Sequence, residues 1–241
     1  LDLDVTEAER KALNRGLFDL SSQSGMEKLE KAGFHGFVGK VNMDRDSGVA
    51  QETTEQSKAE TLRWLDSCHF KYVKPMLTPR FTPSCTDELM AWLGKLGQER
   101  NVPVQSHLSE NLSEIEWVKS LCPDAKNYAD TYARYGLFGG DCRTIMAHCI
   151  YCPEEEAALM HEQGVFISHC PTSNENVIAG IAPAARYLRG GWRIGLGSDV
   201  AGGNTLNLFA VMAAAVQVSK LRWRYVDQSE APLTIAEALY M

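Results

Sequence analysis

Six short apolar runs, each separated from the next by a stretch of helical periodicity, constrain this 241-residue chain more than any other feature. They are FHGFVGKVNM (34–43), YVKPMLT (72–78), VPVQSH (102–107), RTIMAH (143–148), VFISH (165–169) and WRIGLGSD (192–199). Short buried strands alternating with helices are the pattern of βαβ units and a largely parallel sheet. The intervening helices carry start signals. Thr53-x-x-Gln56 opens one running to about Leu65, Ser84-x-x-Asp87 precedes another with Leu89, Trp92, Leu93 and Leu96 on one face, and Ser113-x-x-Glu116 opens a third with Ile115 and Val118 inward. Pro153 followed by Glu154, Glu155 and Glu156 begins a fourth that closes at Gly164, with acids where the helix dipole favours them. The segment from Leu206 to Val218 is apolar nearly all round and is expected to be a buried helix; Trp64, Trp92 and Trp117 are expected in the core.

Both an open doubly wound sheet and a (β/α)8 barrel alternate strand and helix in this way. The position of the reactive residues separates them, because barrel enzymes draw catalytic groups from the C-terminal ends of several strands. Here those ends read Thr78-Pro79-Arg80-Phe81, His107-Leu108-Ser109-Glu110, His148, His169 and Asp199. No glycine-rich phosphate loop follows the first strand, and Gly195-Leu-Gly197 lacks a third glycine. The expectation is an α/β fold that forms most of a TIM-type (β/α)8 barrel, apparently incomplete, as a single partial domain over residues 1–241.

Composition removes other classes. A net charge of −7, with no Lys/Arg run longer than a pair, argues against a nucleic-acid partner. No stretch reaches the roughly 18–20 apolar residues of a membrane span, and the acidic opening LDLDVTEAERK is unlike a signal peptide. Seven cysteines, an odd number, suit a reducing cytoplasm better than a disulfide framework.

SHLSEN, MAHC, SHCPTSN and GLGSDVAGG, in this order and at these intervals, resemble the later strands of the metal-dependent amidohydrolase superfamily. TPRF (78–81) with FVGKVNMD (37–44) narrows the resemblance to guanine deaminases. The resemblance implies that His107 and Asp199 are metal ligands, Asp199 also accepting a proton, that Glu110 is the proton shuttle, and that His148 lies beside the metal-bound water. It further implies that Arg80 and Phe81 bind guanine, where His107 and Glu110 also face the substrate, and it makes His169 and Asn174 secondary candidates for the same pocket. The implied cofactor is zinc, or iron in its place, the partner a small purine, and the assembly a homodimer. Zinc lowers the pKa of its water from 15.7 to about 7, so in such enzymes hydroxide attacks C2 of guanine, and an acid then protonates the ring nitrogen and the departing amine.

One departure stands out. The family takes two further ligands from an H-x-H pair at its first strand, and no H-x-H occurs here; His35, His69 and His161 sit in other contexts. The family's first two barrel strands and small β domain also have no counterpart. The chain starts at Leu1 and stops two turns after the Thr234/Glu237 capping box, so the expectation is a fragment of a longer enzyme, with a catalytically incomplete relative as the alternative. An aminohydrolase of another heterocycle, a triazine or a pterin, is the remaining one. Cys149-x-x-Cys152 has the spacing of a zinc or redox pair but no second pair completes it.

Overall fold

The computed structural model describes residues 23–241. These residues fall into two compact units, one running to Gln105 with Tyr135–Leu137, the other comprising Ser106–Arg134 and Phe138–Met241.

In the first unit, helix α1 (Gln23–Lys31) leads into β1 (Gly36–Asn42), α2 (Thr54–Ser67), β2 (Val73–Pro79), α3 (Asp87–Arg100) and the start of β3 (Val104–Leu108). β1 and β2 pair in parallel from Gly36↔Val73 to Asn42↔Pro79, and β2 meets β3 at Leu77↔Val104. Thr53 and Gln56 form the expected capping box. The helix after β2 starts differently: Ser84 lies in a 3-10 turn (Thr82–Ser84), and Thr86 accepts the Leu89 N–H as the cap. Thr86 prevails because Asp44 fixes it, accepting both its N–H (2.7 Å) and its hydroxyl (2.6 Å). Met26, Val38, Trp64 and Val73 form the core, and the Trp64 indole donates to the Val38 carbonyl at 3.1 Å. Trp92, expected in the core, is half-buried.

The second unit takes up the end of β3 and continues through α4 (Leu112–Leu121), α5 (Asp130–Ala133), β4 (Thr144–His148), α6 (Glu154–Glu162), β5 (Phe166–His169), α7 (Pro171–Asn176), α8 (Ala184–Arg189), β6 (Arg193–Leu196), α9 (Leu208–Tyr225) and α10 (Ile235–Tyr240). Strand pairing follows chain order throughout, with β4–β5 and β5–β6 parallel. All six expected strands are present; the last is shorter, ending at Leu196 so that Gly197–Asp199 form a loop. α4 is capped by Asn111 rather than Ser113, whose hydroxyl instead donates to Asn111 Oδ1. Val118 is buried as expected. Trp117 is only half-buried, against expectation.

The largest correction concerns α9. It buries one stripe, Val211, Ala215, Val218 and Ser219, while Leu208 and Phe209 are 53% and 71% exposed. An all-round apolar sequence fixes no inward face; the neighbouring elements do, and α7, α10 and β6 meet one side of this helix. Among the described residues no helix is long and apolar enough to cross a membrane.

Candidate active site

Within the second unit, four of the sequence candidates meet at strand ends. His148, last residue of β4, places Nε2 3.8 Å from Glu110 Oε2 and 3.9 Å from Asp199 Oδ2. His107 of β3 stacks on it, ring centroids 5.3 Å apart and planes at 22°. His148 is 1% exposed, whereas His107, Glu110 and Asp199 are half-buried, so the cluster opens on the carboxylate side.

The ring of His148 is fixed by Asn174 of α7. An amide oxygen can only accept, so Nδ1 donates to Asn174 Oδ1 at 2.9 Å, leaving Nε2 as the lone-pair nitrogen of the neutral ring. Burial holds the His148 pKa below its ordinary value, against the opposing pull of Asn174 and Asp199. Asn174, a secondary candidate in the sequence, thus acts on a histidine 26 residues away. His169 ends β5 with both ring nitrogens buried and without hydrogen-bond partners; burial and the nearby His148 push its pKa down to about 4.

Strained backbone lies under these side chains. Ser109, His148 and Asp199 have φ of +47°, +72° and +45°, a region that non-glycine residues avoid unless their surroundings hold them there. The glycines of GLGSDVAGG allow the Asp199 turn to close: a Cβ on Gly203 would clash with the Ser198 carbonyl oxygen, and one on Gly202 would lie 2.5 Å from Ser173 Oγ.

The neighbouring carboxyls of the second unit carry no mark in the sequence that makes them site residues. Glu114 accepts the Tyr128 hydroxyl at 2.6 Å, and burial raises its pKa to about 7. Tyr128 stacks on Tyr132, which donates to the His107 carbonyl at 2.8 Å. Glu156, read from sequence as a helix-dipole acid, is 1% exposed and bonded to Ser109. Each had a usable signal, an acid within a turn of a helix start and near a motif, but nothing that distinguishes a buried acid from a solvated one.

Arg80 and Phe81 belong to the first unit, directly after β2. The exposed Arg80 guanidinium lies over the Phe81 ring at 5.1 Å, and its backbone N–H donates to the Asn42 carbonyl at 3.1 Å. Arg45 steadies the turn, donating to the Pro83 and Thr82 carbonyls at 2.9 and 2.8 Å.

A parallel α/β chain with His and carboxylate groups at successive strand ends defines a class, and sequence comparison agrees: the Amidohydrolase family pattern matches residues 22–241, and the chain belongs to that family, with its (β/α)8 fold class. It is similar to the guanine deaminase of Dictyostelium discoideum, 42% identical over 219 residues that make up 89% of this chain and 48% of that protein. It is also similar to the guanine deaminase of Mus musculus, 42% identical over 81% of this chain and 44% of the relative. The crystal structure of guanine deaminase from C. acetobutylicum with bound guanine in the active site superposes with a TM-score of 0.86 at 43% identity, covering 90% of this chain and 52% of that one. The chain spans about half the length of the curated relatives it matches.

Proposed function

We propose that this chain carries the deaminating machinery of a zinc-dependent guanine aminohydrolase, which converts guanine and water to xanthine and ammonia. The observation that carries the reading is the convergence of Glu110 and Asp199 on Nε2 of a buried, neutral His148. Relatives named guanine deaminases at 42% identity supply the substrate. The reading takes both units as one domain, since the family match runs through both. None of the seven cysteines is held in a disulfide.

Imidazole and carboxylate donors, with the unpartnered nitrogens of His169 close by, suit zinc or another divalent ion. Among the described residues no group of three or more His, Cys, Asp or Glu is assembled to hold a metal. In this reading His107 and Asp199 would supply part of the coordination sphere. Zinc, when bound, lowers the pKa of water to about 7 and so provides a nucleophile at neutral pH. Glu110 takes one proton from water and delivers it to the purine ring nitrogen, where the product keeps it. His148, held by Asn174, presents Nε2 as an acceptor that orients the water, and Asp199 accepts the second proton and passes it to the departing amine, which leaves as ammonia. Arg80 offers planar forked donors to the purine carbonyl, and Phe81 an aromatic face to the ring.

The test is to incubate zinc-supplemented protein with guanine and follow xanthine and ammonia. Equimolar release of both supports the reading, and no xanthine overturns it. The alternative reading is a relative that binds purine without turnover. It predicts substoichiometric zinc and guanine binding with no product.

A further inference from the structure

The turn carrying His107 and Glu110 is held from both sides, and one of the holding groups is not part of any chemistry described above. The backbone of the turn is fixed by Cys149 N–H donating to the Leu108 carbonyl (2.9 Å) and by Ile150 and Tyr151 N–H both donating to the Ser109 carbonyl (3.1 Å each). At its apex Ser109 adopts φ +47°, a left-handed conformation that a serine keeps only when its surroundings enforce it. Its hydroxyl donates to Glu156 Oε2 at 2.7 Å. Glu156, at the start of α6, is 1% exposed and accepts the Ala129 N–H at Oε1, 2.8 Å away, with the Cys152 thiol also bonded to it. A carboxyl buried to this degree at a helix start is far from the solvated acid that the dipole alone would favour; burial pushes its pKa up, and these donors oppose that rise without cancelling it.

We propose that Glu156 is a positioning residue for the reaction: through Ser109 it holds His107 and Glu110, on either side of that serine, in register with His148. The inference rests on the proposed guanine deaminase activity for its kinetic readout only. Groups that orient such first contacts typically change activity or metal affinity 10–100-fold when altered.

The experiment compares Ser109→Ala, Glu156→Gln and the double variant with the wild type, each checked for folding by circular dichroism. Two quantities are read: kcat and KM for guanine, and hydrogen exchange of the Ile150 and Tyr151 amides, which donate to the Ser109 carbonyl. The expected result is a fall in kcat of roughly 10–100-fold with KM within about threefold, exchange at the two amides faster by about tenfold, and a double variant no worse than the poorer single one. Should Glu156→Gln fail to fold, Ser109→Ala reads the same contact. Wild-type kcat and exchange in either folded variant, or losses that multiply in the double variant, overturn the inference. If the wild type itself releases no xanthine, the deaminase reading falls on that control, and the exchange measurement still decides whether Glu156 holds the turn.

Discussion

Asn174 grips His148 by Nδ1 at 2.9 Å, and that single bond decides which nitrogen of the buried ring faces Glu110 and Asp199. The two residues lie on different elements, so the orientation of the ring reports the packing of α7 against the end of β4. Its consequence is a base-like nitrogen set between two carboxylates, where a water molecule finds both acceptors and a proton carrier.

Glu110→Gln keeps the size of that carrier and removes its proton affinity. Turnover of guanine should fall by about 10²–10⁴-fold, the usual worth of a positioned acid–base group, while bound zinc measured by atomic absorption stays at the wild-type level. Retained turnover would remove Glu110 from the shuttle role.

Arg80→Ala removes an exposed group packed over Phe81, so thermal stability should move by less than about 0.5 kcal/mol. KM for guanine should rise at least tenfold if the guanidinium holds the purine carbonyl. An unchanged KM, with better turnover of an aminated triazine or pterin, would reassign the substrate.

Acid should destabilise the protein through His169. Its folded pKa of about 4 lies below the unfolded value near 6.5, so between these pH values the unfolded chain binds more protons and stability falls as pH falls; the full loss is about 3 kcal/mol. Urea midpoints at pH 7 and 4.5 should show a smaller drop for His169→Asn than for the wild type. Equal drops would count against the buried, neutral imidazole.

Glu114 has the opposite sign. Its folded pKa of about 7 lies above the ordinary 4.5, so its own contribution to stability is greatest at low pH and falls by up to about 3 kcal/mol as pH rises through that window. Glu114→Gln, which can still accept the Tyr128 hydroxyl, should be more stable than the wild type at pH 8 and no more stable than it at pH 4. A variant that is less stable at pH 8 would show that the carboxylate is compensated there.

The strands were legible because each is a short apolar run bounded by helical periodicity, and a run such as VFISH, too short for a helix of its own, leaves few other options. Helix starts were less so: Ser84 and Thr86, or Ser113 and Asn111, are equally good caps in sequence, and a remote contact such as Asp44 with Thr86 decides between them. The outward side of α9 was illegible for the same reason, since Phe209 and Val211 are both apolar and differ in what stands opposite. Of the site, the motifs carried His107, Glu110, His148 and Asp199. What they left out was the support: Glu114 and Glu156, and the bond by which the motif's Asn174 fixes His148, act across 14 to 47 residues of sequence, and only tertiary packing brings those partners together.

The left-handed residues Ser109, His148 and Asp199 also set a conflict between persistence and performance. At such positions glycine relaxes the main chain, so a library sorted for cellular abundance would enrich glycine there, while one sorted for growth on the reaction product would purge it. Where the two selections disagree most sharply, the map they draw would trace the chemistry of this protein without reference to any relative.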